Sequence, residues 1–281
     1  MKDKKNYKRI RNSKSDIPLQ KAKNIVENSG NNFHAKVIRY LRKKDWLVLV
    51  SPYYNDNITD KPREIDIIAE KAYAIKDPWG ERLGQLHVRL FIECKYIGDE
   101  IVCWFDKKNQ KDTLQRIADD TPLENNRTSR IREHHYMKDE LAAKLFSPTN
   151  NINQQKEPFY RALNQILNAM LYFRHWEPII QEEDHRGHNH TINYPIILCN
   201  NFHNVFGIDM NDEEKRIWHI INNFILEVNY AYLSMIDKRS ASEYFLIDVV
   251  DFNQIDQFLK ILEEFDINII SDRFLYKWER H

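Results

Sequence analysis

Residues 63–70 read REIDIIAE and residues 88–96 read VRLFIECKY. Both stretches are short and rich in isoleucine, valine and phenylalanine, and the pattern predicts strands over Glu64–Ala69 and Val88–Tyr96. Side chains alternate across a strand with a period of two, so Glu64 and Asp66 share one face of the first strand, and Glu93 and Lys95 share one face of the second. Their neighbours Ile65, Ile67, Ile68, Phe91 and Ile92 are apolar. Charged groups are rarely buried in central strands unless they pair or bind a metal, so acids repeated on such strands point to a shared acidic site. The alternative is that Glu64, Asp66, Glu93 and Lys95 form solvent-facing cross-strand pairs.

Working outward, NNFHAKVIRYLRKK (Asn31–Lys44) sets Phe33, Val37, Ile38 and Leu41 at helical spacing behind Ser29-Gly30. Trp46–Val50 has the length of a buried strand. Turn residues at 55–57 and 60–62 precede the EIDIIA strand, and Asp77-Pro78-Trp79-Gly80 makes a hairpin-like loop before VRLFIECKY. Residues 97–157 read as a charged helical insert, with Arg130–Phe146 as its clearest helix. Pro158–Trp176 is a longer amphipathic helix, with Phe159, Leu163, Ile166, Leu167, Met170 and Leu171 on its apolar side. Tyr194–Cys199 is a fourth strand. The remainder reads as a helix over Asp212–Met235, a strand over Tyr244–Val250, a helix over Gln254–Phe265 and a strand over Ile267–Ser271. The expectation is a mixed α/β fold with a basic, flexible arm (1–28), a core (29–200) and a C-terminal α/β extension (201–281) that extends the core or forms a lobe for docking a partner.

The chain has 281 residues, 42% hydrophobic and 30% charged, with a mean hydropathy of −0.68, which is ample for a packed core and excludes collagen-like and coiled-coil classes. No apolar run approaches the ~18 residues of a membrane helix, so no membrane partner is expected. Cys94, Cys103 and Cys199 are odd in number and show no CxxC spacing, which argues against a disulfide framework or zinc knuckle and for a reducing, cytoplasmic setting. The start, MKDKKNYKRIRNSKSD, lacks an apolar stretch and does not read as a secretory signal. Residues 1–50 hold fourteen Lys+Arg against four Asp+Glu, a net of +10, and total charge is zero, so the other 231 residues carry −10. Such asymmetry suits polyanion binding by one end of the chain, or a solubilising tail.

Mg²⁺ rests on one or two carboxylates plus waters and substrate phosphates. Asp66 and Glu93, with the main-chain carbonyl of Cys94, meet that requirement for Mg²⁺ or Mn²⁺. Lys95 on the same face would orient or help deprotonate an attacking water and offset transition-state charge. The chemistry expected is metal-assisted phosphodiester hydrolysis.

Asp66, followed after twenty-six residues by Glu93-Cys94-Lys95, resembles the D…ExK signature of the PD-(D/E)xK nuclease superfamily. PREIDIIAE and LFIECKY resemble the strands of its resolvase-like branch, and the order helix, three strands, helix, strand resembles its αβββαβ restriction-endonuclease-like core. The resemblance covers about residues 29–200. It implies metal ligands at Asp66 and Glu93, a catalytic lysine at Lys95, and a DNA substrate more than RNA. It also implies a place in DNA repair or in bacterial defence against foreign DNA, beside a helicase, another ATPase or a sensor protein. Many members carry a glutamate in the first helix that completes the metal site; His34 stands there, as a substituted ligand, a phosphate contact or the mark of an altered site. A glutamine-tyrosine motif on the later helix is matched by Gln165, whereas the residue four positions on is Ala169.

Arg127, Arg130, Arg132 and Lys138, beside His134-His135, form a basic helical face that would lie along a phosphate backbone or simply face solvent. His185, His188 and His190 are metal-like in composition but read as a solvated loop. Trp46, Trp104, Trp176 and Trp218 read as core or interface anchors. Cys94 points to the opposite, apolar face and carries no thiol chemistry. No Walker A, GxGxxG, HExxH or GxSxG motif is present, so an ATP-driven step would need a partner. Two rivals remain: a catalytically silent nuclease-like subunit that binds nucleic acid or a partner, and a metal-dependent hydrolase of free nucleotides.

Overall fold

A computed structural model describes residues 16–27, 29–56, 59–77, 79–120, 130–148, 158–180, 188–234 and 239–270. Its helices are α1 (Asp16–Glu27), α2 (Asn31–Lys43), α3 (Gln110–Asp119), α4 (Pro158–Phe173) and α5 (Ile255–Ile261), the last continuing through wider turns over Leu262–Ile267. The strands are β1 (Leu47–Val50), β2 (Tyr53–Asn55), β3 (Pro62–Glu64), β4 (Ile67–Lys76), β5 (Arg82–Lys95) and β6 (Ile101–Lys107). They continue with β7 (Leu141–Pro148), β8 (His188–Cys199), β9 (Val205–Asp209), β10 (Ile217–His219), β11 (Phe224–Leu233) and β12 (Ser240–Asp251). Among the described residues no helix is long and apolar enough to cross a membrane.

Ten strands form one mixed sheet in the order β1-β4-β5-β8-β12-β11-β7-β6-β9-β10, and β2 and β3 form a separate hairpin. Around β5 the pairing is antiparallel to β4 and parallel to β8, and β8 is in turn parallel to β12. Helices cover both faces. On one, Phe159, Ile166 and Met170 of α4 pack against Phe91, Ile197 and Phe245. On the other, Val37 and Leu41 of α2, Ile117 of α3 and Phe258 of α5 pack against Leu86, Val88, Leu90 and Ile92. With a neighbour on each edge and a core on each face, β5 is buried over most of its length.

A buried ion pair seats the end of α4 on the sheet. Arg89 Nε donates to Glu70 Oε2 at 2.9 Å, and its other nitrogens donate to the carbonyls of Phe173 and Glu177 at 3.0 Å each. Glu70 Oε1 accepts from Ile180 N at 2.9 Å. A helix end leaves carbonyls without intrahelical partners, and here a strand arginine takes the place of a C-terminal cap.

Several expectations change. The described residues of 97–148 are not a helical insert: β6, α3 and β7 lie there, and Arg130–Phe146 consists of 3₁₀ turns at 130–133 and 135–137 followed by the start of β7. Ala142 and Ala143, good helix formers, sit opposite Asp106 and Phe105 of β6, where pairing overrides propensity. Asp212–Met235 is no helix either, since FILEVNYAYL alternates and pairs as β11 along the whole of its length with β12. Residues 267–270 continue a helical course instead of forming a strand, with Ile267 and Ile270 in the core beside α5. Within the basic N-terminal stretch lies α1, and residues 205–251 supply β9–β12 to the common sheet.

Candidate functional site

The EIDIIA segment is not one strand. β3 ends at Glu64, the chain bends at Asp66, and β4 begins at Ile67 opposite Ile92. The last residues of β5 therefore run past the end of β4, and side chains replace the missing ladder bonds. Cys94 N donates to Asp66 Oδ2 at 2.8 Å, and Asp66 N donates to Glu93 Oε1 at 3.2 Å. This exchange brings the two carboxylates together, and Lys95 Nζ joins them by donating to Glu93 Oε2 at 2.9 Å.

Three neighbouring elements hold the bend. Ser51, with φ of 50°, donates its N–H to the Asp66 main-chain oxygen at 2.9 Å. His34 Nε2 of α2 donates to the same oxygen at 2.9 Å. Gln165 Nε2 of α4 donates to the Glu64 carbonyl at 3.2 Å. His34 and Gln165, expected as a ligand and a catalytic group, thus both hold backbone on either side of Ile65. His34 keeps only Nδ1 for anything else, because a nitrogen that donates to a carbonyl carries its proton there.

Glu93 is 1% exposed and Lys95 18%. Burial pushes the Glu93 carboxyl up to about 7, with Lys95 pulling it down and Asp66 pushing it further up. Two acids against one lysine leave a site short of positive charge. The donor set suits a hard divalent cation: Asp66 and Glu93 are carboxylates with lone pairs to spare, and the Cys94 carbonyl faces the same edge as its N–H, as within any extended residue. The Cys94 side chain packs against the opposite core, and burial, with Asp66 and Glu93 nearby, holds its thiol well above the ordinary range. Its sulfur takes no part in the site.

The basic segment lies elsewhere. Arg127 and the side chain of Arg130 fall outside the described residues. Arg132 is exposed, and Lys138 sits 3.1 Å from the centroid of the Phe265 ring. Ile131 and Tyr136 of this segment belong to the core opposite α4, whereas Phe91, two residues before Glu93 and on the same strand face, packs toward α4. Among the described residues, no helical basic face therefore lines the Asp66–Lys95 site. Of the histidine-rich stretch, His185 is outside the described residues, β8 already begins at His188, and His190 Nε2 donates to the Asp120 carbonyl at 2.8 Å. Trp46 is buried in the core, while Trp176 is 55% exposed.

The pair His134-His135, expected on a basic surface, is buried. His135 lies between two carboxylates, with Nδ1 on Asp266 Oδ2 and Nε2 3.1 Å from Asp248 Oδ1. Burial opposes its charge, but Asp266 and Asp248 outweigh that and push it up to about 10. The ligand atoms of His134, His135 and Asp266 lie within 4.8 Å of one another, a metal-like spacing. Protons already fill it: His134 Nδ1 accepts from Tyr136 N at 3.2 Å, which leaves the proton on Nε2, 3.4 Å from Asp266. We read this cluster as an ion network that ties the helical C-terminal segment to β12 and to the 3₁₀ turns. Asp266 is 131 positions from His135, so no local pattern announces it.

A cavity of about 240 Å³ opens between the β2–β3 hairpin and α4, lined among others by Tyr54, Arg63, Arg161, Asn164 and Gln165. The sequence offered no signal for it, because its residues come from two elements a hundred positions apart. Burial, with Glu93 and Asp56 nearby, pushes the Tyr54 hydroxyl above the ordinary tyrosine range, so it presents a proton. No protein-family model matches the chain, and no curated protein or solved structure matches it significantly.

Proposed function

We propose that this chain is a metal-dependent nuclease that hydrolyses phosphodiester bonds, of the PD-(D/E)xK type, acting on DNA. The observation that carries the reading is the meeting of Asp66, Glu93 and Lys95 at the C-terminal end of β5, beyond the end of β4, tied by hydrogen bonds among their own side chains and backbone. The order α2, β1, β4, β5, α4, β8, with β2–β3 inserted after β1 and β6, α3 and β7 inserted after β5, supports it by its resemblance to the helix, three strands, helix, strand of that superfamily.

Asp66 and Glu93 would hold Mg²⁺ or Mn²⁺ with the Cys94 carbonyl. A bound divalent cation would supply Lewis acidity at the phosphate and a more acidic water. Lys95, steadied by Glu93, would orient the attacking water and offset charge gathering on the phosphate oxygens. His34 and Gln165 act as positioning residues: they hold the carbonyls of Asp66 and Glu64 and so fix the bend that aims Asp66. That role for His34 needs no acid at its position. The cellular setting, repair or defence beside an ATP-driven or sensing partner, rests on the resemblance alone.

The test is cleavage of linear, supercoiled and single-stranded DNA, with an RNA control, in Mg²⁺, Mn²⁺ and EDTA. Metal-dependent cutting by the wild type, lost in Asp66→Ala and Lys95→Ala, supports the reading. Salt-sensitive DNA binding without any cutting would favour the silent subunit, and cutting of RNA alone would overturn the choice of DNA.

A further inference from the structure

The cavity between the β2–β3 hairpin and α4 adjoins the Asp66–Lys95 site. Gln165 lines it and bonds the Glu64 carbonyl, two residues before Asp66, and Tyr54 feels the charge of Glu93. Tyr54, 2% exposed, lines the cavity with a phenol that can donate and accept a hydrogen bond. Gln165 commits only its nitrogen, leaving Oε1 to accept.

Two guanidinium groups flank the opening. Arg161, in the first turn of α4, is exposed and has no partner among the described residues. Arg63, opposite Tyr54 in the hairpin, is 53% exposed and among the described residues reaches only Asp56, at 3.8 Å. Asp56 is itself engaged, accepting from Thr59 N at 2.8 Å and Thr59 Oγ1 at 2.9 Å. Arginines not saturated by carboxylates bind phosphate through paired N–H groups. Inside, amide and hydroxyl groups offer both donors and acceptors, the chemistry that reads the edge of an unpaired base. The volume of about 240 Å³ is ample for one nucleobase.

We propose that this cavity receives one unpaired nucleotide beside the phosphodiester to be cut, its phosphate on Arg63 and Arg161 and its base against Tyr54, Asn164 and Gln165. The proposal rests on the nuclease reading of Asp66, Glu93 and Lys95, and it names the substrate class: a single strand, or a duplex opened at the cleavage point, in preference to an uninterrupted duplex. A paired nucleotide would have to leave its stack to enter, and that loss of stacking disfavours intact duplex.

The experiment measures binding by fluorescence anisotropy in EDTA, using a labelled single-stranded oligodeoxynucleotide and the blunt duplex of the same sequence. Single strand is expected to bind roughly tenfold or more tightly than duplex. Arg161→Ala is expected to weaken the single strand by roughly tenfold, and Tyr54→Phe, which keeps the buried ring, by several-fold. Duplex binding equal to single-strand binding, or single-strand binding unchanged in both variants, would overturn the proposal. If either occurs while metal-dependent cutting persists, the nuclease reading stands without this pocket. If no cutting is found but the binding pattern holds, the pocket stands and the nuclease reading falls.

Discussion

Replacing Glu93 by glutamine should abolish metal binding and yet make the metal-free protein more stable at alkaline pH. Glu93 is 1% exposed, and burial raises its carboxyl from 4.5 to about 7 despite Lys95 at 2.9 Å. At ~1.4 kcal/mol for each tenfold change in proton affinity, that amounts to about 3 kcal/mol by which the ionised group opposes folding. For an acid raised in the folded state, the native protein holds more protons than the unfolded one between the two pKa values. Its stability contribution is thus complete below pH 4.5, falls as pH rises to about 7, and stays lost above. Glutamine mimics the neutral form and still accepts from Lys95 and from Asp66 N. Urea unfolding at pH 5 should find the two proteins nearly equal, and at pH 9 the variant should be more stable by up to about 3 kcal/mol. Mg²⁺ should then stabilise the wild type, by about 2.7 kcal/mol at a hundred times its Kd, and not the variant. Because the cation competes with the Glu93 proton, its affinity should weaken about tenfold per pH unit below 7. A variant no more stable than wild type at pH 9, or one stabilised equally by Mg²⁺, would refute the reasoning.

Lys95→Ala should lower the cleavage rate by ~10²–10⁴ while leaving Mn²⁺ affinity within a few-fold, since the lysine touches Glu93 but is no ligand; a parallel loss of Mn²⁺ binding would count against that division of labour. His135→Gln removes the cation between Asp266 and Asp248 and should cost about 3–5 kcal/mol in urea unfolding, because it leaves buried carboxylates uncompensated. With His135 raised to about 10, its wild-type contribution is complete below pH 6.5 and is lost as pH rises through about 10, so the gap between the proteins should close there; a gap independent of pH would be evidence against the charged network. In Gly207→Ala the new Cβ would lie 2.4 Å from the Trp218 ring, so a melt should report a loss of about 1–3 kcal/mol and a displaced indole, and an unchanged melt would deny that close approach.

Much of the sheet's centre was legible because its patterns are regular. α2, α4, β5, β8 and β12 each announce themselves through apolar spacing, and alternation alone was enough to put Glu93 and Lys95 on one face. The bend at Asp66 was not legible, since Ile65, Ile67 and Ile68 continue the strand pattern across it and only the hydrogen bonds from Ser51, His34 and Cys94 reveal the break. β7 was hidden by helix-forming residues whose pairing with β6 lies more than thirty positions away, and β11 by a two-residue alternation whose apolar residues also fit a helical face. His134 and His135 looked solvent-facing among arginines because the aspartates that draw them inward are over a hundred positions distant. The cavity beside Gln165 follows the same rule: its chemistry exists only once β2, β3 and α4 have met.

Anomalous diffraction from crystals soaked in Mn²⁺ tests the metal site most directly. A peak should lie within coordination distance of Asp66 and Glu93 and be absent from Asp66→Asn crystals. A peak only at His134, His135 and Asp266, or none near the end of β5 at saturating Mn²⁺, would contradict this placement of the metal.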